Sequence, residues 1–468
     1  MKLLQVLLLT SFSFIFPQSL FADSTHSLSE FISKSVEKNP EIKEAYFNVD
    51  FAEARLDEAN AGHFGIVEFI GLAGVHGNAR ANGDKLYALD GAGNQVPLPQ
   101  SEFLGSGDNT ADYQGFGPFA KGTLTAIVPI WTWGKLDGYV NAAQAGVGVE
   151  KAAAEIKKGE VIQRIKEFFY GYLLASDALE LGDEVGKYLD KAIKKAHELF
   201  DEGNGEVSQT DLQRLDVGKA ELYRQLASAH QGLPLARSAL AAFSGIAPTF
   251  KTNPDYLKQE TFKINSLEEL VRVAWQHKPE IKQLAAGLTA RRNLVKVEES
   301  ELYPLFFAGA QVQGGKSDAR DLSHNPFLND DGFGPVSGGP ALGLKWNLNF
   351  LTTQAKIAQA RAQYRALQQK EELAKMGLPL QVEEAYRKVL EYRDQAKHAE
   401  EGMRAARGWM ISASNNYEVG IGEPKVLMEG IGSYAVMKMN LLQGRYNYNL
   451  ALGKLSQLIG QEVTGLSY

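Results

Sequence analysis

A stretch near the start of this 468-residue chain returns in altered form past its midpoint. LSEFISKSVEKNPEIK (28–43) reappears as LEELVRVAWQHKPEIK (267–282), and Pro40-Glu41-Ile42-Lys43 is matched by Pro279-Glu280-Ile281-Lys282. GFGP (115–118) recurs at 332–335, and the alternating LTAIVPI (124–130) has a counterpart in LGLKWNL (342–348). EGNGE (202–206) pairs with VGIGE (419–423), and LAAFSG (240–245) with LSQLIG (455–460). The matches fall in the same order in both halves, which is the mark of a duplicated unit. The fold must therefore be one that two copies of the same plan can build.

Each copy reads as helix, strand, strand, long helix and returning helix. A first helix of about 40 residues ends near Phe64 or Tyr303. The first strands fall near 65–76 and 305–314, the second near 122–132 and 340–350. Between them lie stretches rich in Gly, Asn and Asp, 76–117 and 314–338, which favour turns and cannot build a core. Long helical segments follow, at 134–202 and 352–418, rich in Ala, Glu, Lys, Gln, Leu and Arg, all good helix formers. At 1.5 Å per residue such a helix reaches roughly 100 Å, more than a compact domain contains. Returning helices run to about 244 and 459. The repeats are thus 23–246 and 265–460, joined by a Pro-containing linker at 247–264 and followed by a tail at 461–468. Val161, Ile165, Phe168, Phe169, Tyr172 and Leu173 recur at helical spacing, so the long helices pack sideways. The alanine stripes of AKIAQARAQYRAL (355–367) allow close approach.

The strands are two-faced. In ALGLKWNLNF (341–350), Leu342, Leu344, Trp346, Leu348 and Phe350 alternate with Gly343, Lys345, Asn347 and Asn349. Leu124, Ala126, Val128 and Ile130 oppose Thr123 and Thr125; Ala308, Ala310 and Val312 oppose Gly309, Gln311 and Gln313. The first strand is less regular, with Glu68 and His76 beside Ile70 and Leu72. A soluble sheet with one packed face fits this pattern, and so does a membrane barrel with lipid outside and water inside. Strands of 9–11 residues span a bilayer when tilted, and Trp131, Trp133 and Tyr303 suit its interface. Four strands cannot close a barrel, and lipid tolerates no open edge. A membrane reading therefore requires several copies, three chains and twelve strands being the smallest arrangement with a wet lumen.

Residues 1–22 have the layout of a secretory signal peptide: Lys2, an apolar run from Leu3 to Phe16, and Ala22 as the last residue before cleavage. No later stretch offers 18 consecutive apolar residues, so no transmembrane helix is expected. The net charge of −7 gives no support for a nucleic-acid partner. The absence of cysteine excludes disulfides, thiolate metal sites and a cysteine nucleophile. No HExxH pair, P-loop or GxSxG elbow is present, and His197, His277 and His398 lie on helices without a close His partner. Neither an enzyme, a metal site nor a cofactor is expected.

The order of elements after an export signal resembles the TolC-like outer-membrane efflux protein family over nearly the whole chain. The local matches are NPEI (39–42), PIWTWGK (129–135), NLNFLTT (347–353), GNGEVSQTDLQ (203–213) and LALGKLSQLIG (450–460). The resemblance implies a mostly α fold with a small membrane β-barrel portion: a homotrimer with a twelve-stranded barrel in outer-membrane lipid and an α-helical periplasmic tunnel. It implies an exit duct of a tripartite efflux pump, joined by a periplasmic adaptor (membrane fusion) protein to an inner-membrane transporter. A type I protein secretion duct is the nearest alternative, and a structural envelope coiled-coil protein is the alternative from another class.

Candidate sites sit at the two helix turns and in the strands. Gly203, Gly205, Gly420 and Gly422 supply the backbone freedom of tight turns, Ser208, Thr210 or Asp211 can cap the returning helix, and Pro424 suits a first helical turn. These turns resemble the tips on which adaptor hairpins dock, which nominates Gly203, Gly205, Ser208, Thr210, Asp211, Leu212, Gly420, Gly422 and Leu427. The tips are acidic, and threefold symmetry repeats an inward carboxylate as a ring. Glu429 and Asp211 are the aperture candidates, whereas Val426 stands where related ducts place an aspartate. Gln311, Gln313, Lys345, Asn347 and Asn349 are expected to line the barrel lumen.

Overall fold

The computed structural model describes residues 25–81, 87–89, 95–97, 111–203, 207–262, 266–317, 336–464 and 466. The expected signal peptide lies outside them, as do Gly205 and most of the loop 314–338. In chain order the elements are β1 (Thr25–Ser27), α1 (Leu28–Lys38), α2 (Pro40–Ala61), β2 (Ile66–Ala81), β3 (Tyr87–Leu89), β4 (Gln95–Pro97), β5 (Ala111–Trp131), α3 (Lys135–Asp201) and α4 (Gln209–Ser244). The second half runs β6 (Lys251–Asn253), α5 (Leu267–His277), α6 (Pro279–Ser300), β7 (Leu305–Ser317), β8 (Ser337–Lys345), α7 (Phe350–Glu418) and α8 (Pro424–Ile459). The chain is mostly helical, and among the described residues no helix is long and apolar enough to cross a membrane.

Three differences from the sequence reading have local causes. Each expected 40-residue first helix is two helices, broken at Asn39-Pro40 and at Lys278-Pro279. The residue before each proline is extended, Asn39 at ψ 126° and Lys278 at ψ 121°, because the proline ring crowds the helical conformation of its predecessor. The strands β2 and β5 run further into the Gly-rich stretch than expected, so 76–117 is not all loop. Strand β8 starts at Ser337 and stops at Lys345, short of Phe350. Asn347 and Asn349 lie beyond it and start α7: the Asn347 side chain accepts from the Asn349 N–H at 3.1 Å, and the Asn349 side chain from the Thr352 N–H at 3.4 Å. The capping chemistry of Asn prevails over an alternation that continues past the strand.

The described residues form two compact units that do not follow the repeats. One takes in the described residues of 25–49, 150–284 and 370–466; the other those of 50–149 and 285–369. The first has three cores. Phe31, Ile165 and Leu240 bring α1, α3 and α4 together, and Leu270, Val382 and Leu452 do the same for α5, α7 and α8. The sequence duplication is thus a duplication of cores. A third core, with Leu212, Leu215, Met410, Tyr417, Leu427 and Ile431, lies under both helix turns. β1 and β6 pair in parallel, which ties the linker to the start of the chain.

The second unit holds a four-stranded antiparallel sheet in the order β2-β5-β7-β8. Its helical layer has the same order. The turn after α2 meets α3 through His63 and Asp137 (3.4 Å), and α3 meets α6 through the Lys135–Glu301 ion pair. α6 meets α7 through Glu299–Arg361 and Arg291–Gln363, both 2.6 Å. Where strand turns into helix, Trp133 takes the left-handed conformation (φ 54°), stacks on Tyr303 at 4.8 Å and donates its indole N–H to the Pro304 carbonyl at 2.9 Å. Trp346 makes the matching bond to Leu302 at 3.1 Å.

Candidate functional site

The register of the sheet decides what each face presents. Directly opposed residues in antiparallel strands point the same way. Val67, Phe69, Ala126, Leu124, Ala310, Val312, Leu342 and Leu344 therefore share one face, with only apolar residues at the paired positions between them. The opposite face is mixed: Glu68 pairs with Thr125 and Thr125 with Gln311, while Thr123 pairs with Gln313 and Gln313 with Ser337. Lys345, opposite Leu305, is on this polar face too. Three of the five expected lumen residues are thus brought together. Asn347 and Asn349, outside the strand, are not.

Nothing in the chain covers the apolar face among the described residues. Phe69 is 70% exposed, Leu342 81% and Leu344 62%. A packed soluble sheet would have buried them. Among the described residues the edges are open as well, since β2 and β8 each pair on one side only. The sheet is a strip with one oily face, one wetter face and two unsatisfied margins.

The two helix turns are built differently. In the first, Gly203 takes φ 72° after α3. Ser208 is the N-cap of α4, and its hydroxyl accepts from the Asp211 N–H at 3.3 Å while Asp211 accepts from the Ser208 N–H at 3.1 Å and from its hydroxyl at 2.6 Å. This is a capping box. The bonds from Ser208, with a smaller contribution from Arg214, hold the Asp211 carboxyl below the usual carboxylate range. Val207 and Leu212, flanking the cap, are both buried in the core beneath. In the second turn Gly420 takes φ 78°, and the N–H groups of Ile421 and Gly422 both reach the Asn416 carbonyl at 3.0 and 3.1 Å. A Cβ on Gly422 would sit 2.9 Å from the Tyr417 backbone nitrogen. Glu423 is the N-cap of α8 without a side-chain cap bond, and Pro424 follows it.

The nominated tip residues separate by exposure. Gly203, Ser208, Thr210 and Gly420 are exposed; Asp211 and Gly422 are half-buried. Leu212 and Leu427 are buried, so in this chain they seat the tips on their core rather than face outward. The starts of α4 and α8 lie side by side and form a groove lined by Thr210, Asp211, Val217, Pro424, Lys425 and Glu429. Both aperture candidates therefore reach one groove. Asp211 is engaged in its cap, and Glu429 has Lys425 at 4.0 Å. Sequence reasoning missed Tyr417, which lies buried beneath the tips; its burial, and then the charge of Asp211, push its hydroxyl up to about 12. Aromatic residues on a helix carry no signal of such a position.

Residues 270–461 match the family described as outer membrane efflux protein. No curated protein sequence matches the chain. Among solved structures, the outer membrane protein VceC from Vibrio cholerae is similar at a TM-score of 0.69 and 13% identity, over 93% of this chain and 96% of that one. The Campylobacter jejuni outer membrane channel CmeC gives 0.70 and 13%, over 94% and 87%. The open state of the Neisseria gonorrhoeae outer membrane channel MtrE gives 0.70 and 14%, over 93% and 89%.

Proposed function

We propose that this chain, whose residues 270–461 match the outer membrane efflux protein family and whose fold is that of outer-membrane channels, is a TolC-like exit duct of a tripartite efflux pump. The observation that carries the proposal is the uncovered sheet. A strip with an apolar face and two open edges is stable in lipid only when other copies complete it, because every unpaired backbone group there costs several kcal/mol. Three copies supply twelve strands, with Gln311, Gln313 and Lys345 toward the water-filled interior and Phe69, Leu342 and Leu344 toward lipid. The helices then form a hollow periplasmic stalk. Its tips, at Gly203, Ser208, Thr210, Gly420 and Gly422, receive a periplasmic adaptor that joins the duct to an inner-membrane transporter. Transport through such a duct is passive, and Glu429 contributes to its cation preference.

Outer-membrane fractions are expected to yield a heat-modifiable trimer that conducts ions in planar bilayers. A water-soluble single copy without affinity for detergent would overturn the reading, and a trimer without conductance would make the chain a spacer. Leu344→Lys, placing a charge on the oily face, should cost about 2–4 kcal/mol of insertion if it lies near the bilayer midplane. Gln311→Lys, on the opposite face, should insert normally and shift ion selectivity. Glu429→Gln with unchanged selectivity would remove that residue from the gate.

A further inference from the structure

The corner where strands give way to helices encloses a cavity of about 510 Å³, within the range of about 300–1,000 Å³ that small-molecule sites occupy. Leu305 and Lys345, opposed in register on the wetter face of the sheet, line it, whereas Phe306 and Leu344 of the oily face do not. The cavity therefore opens on the wetter side. Its walls come from the segments after β5 and β8 and from the start of β7, so one chain supplies all of them.

Three of those walls are aromatic: Trp133, Tyr303 and Trp346. The chain reversal at Trp133 needs a positive φ, which Gly or Asn adopts at little cost and a bulky side chain does not. Trp133 nevertheless sits there at φ 54°, held by its indole bond to the Pro304 carbonyl and by its stacking on Tyr303. Trp346 is fixed in the same way on the Leu302 carbonyl. Both indole N–H groups are thus taken by backbone, and what the tryptophans offer the cavity is ring surface. All three aromatic residues remain exposed, although burying them would release apolar area from water.

Charge decides what such a cavity accepts. Lys135, Glu301 and Lys345 line it. Lys135 and Glu301 neutralise each other in an ion pair, while Lys345 has no ion-pair partner among the described residues. One positive charge is left over. Aromatic walls alone would suit a cation, but here the Lys345 ammonium repels it and attracts an anion. We propose that the cavity binds a flat aromatic monoanion, an aryl carboxylate, with its ring against the tryptophans and its carboxylate on Lys345. The proposal rests on the reading that the wetter face lines the duct. One site per copy then stands where barrel meets stalk, and three copies form a ring of stations for aromatic acids in transit.

The probe is 2-naphthoate, titrated by calorimetry into the detergent-solubilised full chain against a detergent blank, with 2-naphthylmethanol and 2-naphthylmethylamine as its neutral and cationic analogues. The acid should bind once per chain and about tenfold or more tighter than the alcohol, the usual worth of a hydrogen bond to a charged group, and the amine should bind least. Lys345→Gln should remove the acid's advantage and Lys345→Arg keep it, while Trp346→Leu should weaken acid and alcohol alike. Asn347→Asp, which keeps the cap acceptor and adds a negative charge to the same cavity, should also weaken the acid and serves if Lys345→Gln fails to assemble. Lys316→Gln, on the oily face beside Ala120, should change nothing. In planar bilayers naphthoate should lower the current through the parent channel and not through Lys345→Gln. A conducting channel that binds acid and alcohol equally, or that binds the acid as tightly after Lys345→Gln, would overturn the site and leave the duct reading standing. Binding through Lys345 without any change in current would overturn its placement inside the duct. Absence of a conducting channel in the unsubstituted chain would overturn the duct reading itself.

Discussion

The two helix turns occupy corresponding places in the two repeats and reverse the chain over one shared core, yet they are held by different chemistry. The first depends on side chains: Ser208 and Asp211 satisfy each other's backbone N–H groups, with Val207 and Leu212 buried on either side. The second depends on backbone and steric fit: one Asn416 carbonyl receives two N–H groups, and Gly422 lies against the chain of Tyr417 with no room for a side chain. Duplication therefore preserved the turn as a shape and left its means of stabilisation free to diverge. A partner that reads both tips meets one closed by a side-chain carboxylate and one closed by backbone alone.

The largest effect is expected at Gly422. Gly422→Val must displace backbone, and overpacking of this kind costs about 1–3 kcal/mol, read as a fall in the protein's thermal midpoint at fixed concentration. Gly218→Ala, at the same end of the unit, meets only the flexible end of Met428 and should cost much less. Equal losses at the two sites would break the claim that the second turn is held by steric fit. Next in size is the cap of the first turn. Ser208→Ala should cost about 1 kcal/mol, the usual worth of an N-cap, whereas Glu423→Ala should be close to neutral because Glu423 makes no cap bond. A larger loss at Glu423 than at Ser208 would reverse the comparison.

The contrast between the turns was only partly legible in the sequence. Glycines at the turns, the cap at Ser208 and Pro424 at the first helical turn are local signals, and local signals read well. The long helices were legible for the same reason: α3 and α7 begin and end within two residues of expectation, because helix formers predominate up to a Gly-containing turn, even with Pro379 inside α7. Strand ends were harder. Alternation in ALGLKWNLNF continues for five residues past Lys345, and only the Asn349 cap, a competing local preference, shows where strand gives way to helix. The helix breaks at Pro40 and Pro279 have a local signal, since a proline crowds its predecessor out of the helical conformation. Burial of Leu212, Leu427 and Tyr417 was not legible, since it depends on which helices meet beneath the tips.

Proton linkage sharpens the comparison further. The Asp211 carboxyl is held low in the folded chain, so between its folded and unfolded values the unfolded chain binds more protons. Its contribution is complete above the unfolded Asp value of about 3.9 and is lost as pH falls through the folded value. Asp211→Asn should therefore be less stable than the parent chain near neutral pH, with the gap closing below about pH 4. Among the described residues the second turn has no comparable carboxylate cap bond. A pH-independent gap for Asp211→Asn would assign its role to shape alone.

The smallest effect, and the one that joins the two turns, is expected at Tyr417. Its hydroxyl is buried and has no hydrogen-bond partner among the described residues. An unpaired buried hydroxyl is a cost to the folded state, so removing it while keeping the ring should be neutral or stabilising by up to about 1 kcal/mol. The linkage has a definite sign. Burial, reinforced by Asp211, pushes the folded hydroxyl up to about 12, while an exposed tyrosine ionises near 10. Between those values the folded chain holds a proton that the unfolded chain has released, so the parent loses stability as pH rises through this window. Tyr417→Phe has no such loss, and its advantage should widen above pH 10. Thermal midpoints of the two chains at pH 7 and at pH 10.5 measure it. If Tyr417→Phe is clearly less stable at pH 7, the hydroxyl is bonded in the assembled protein and the tips are tied together by a polar contact that a single copy does not contain.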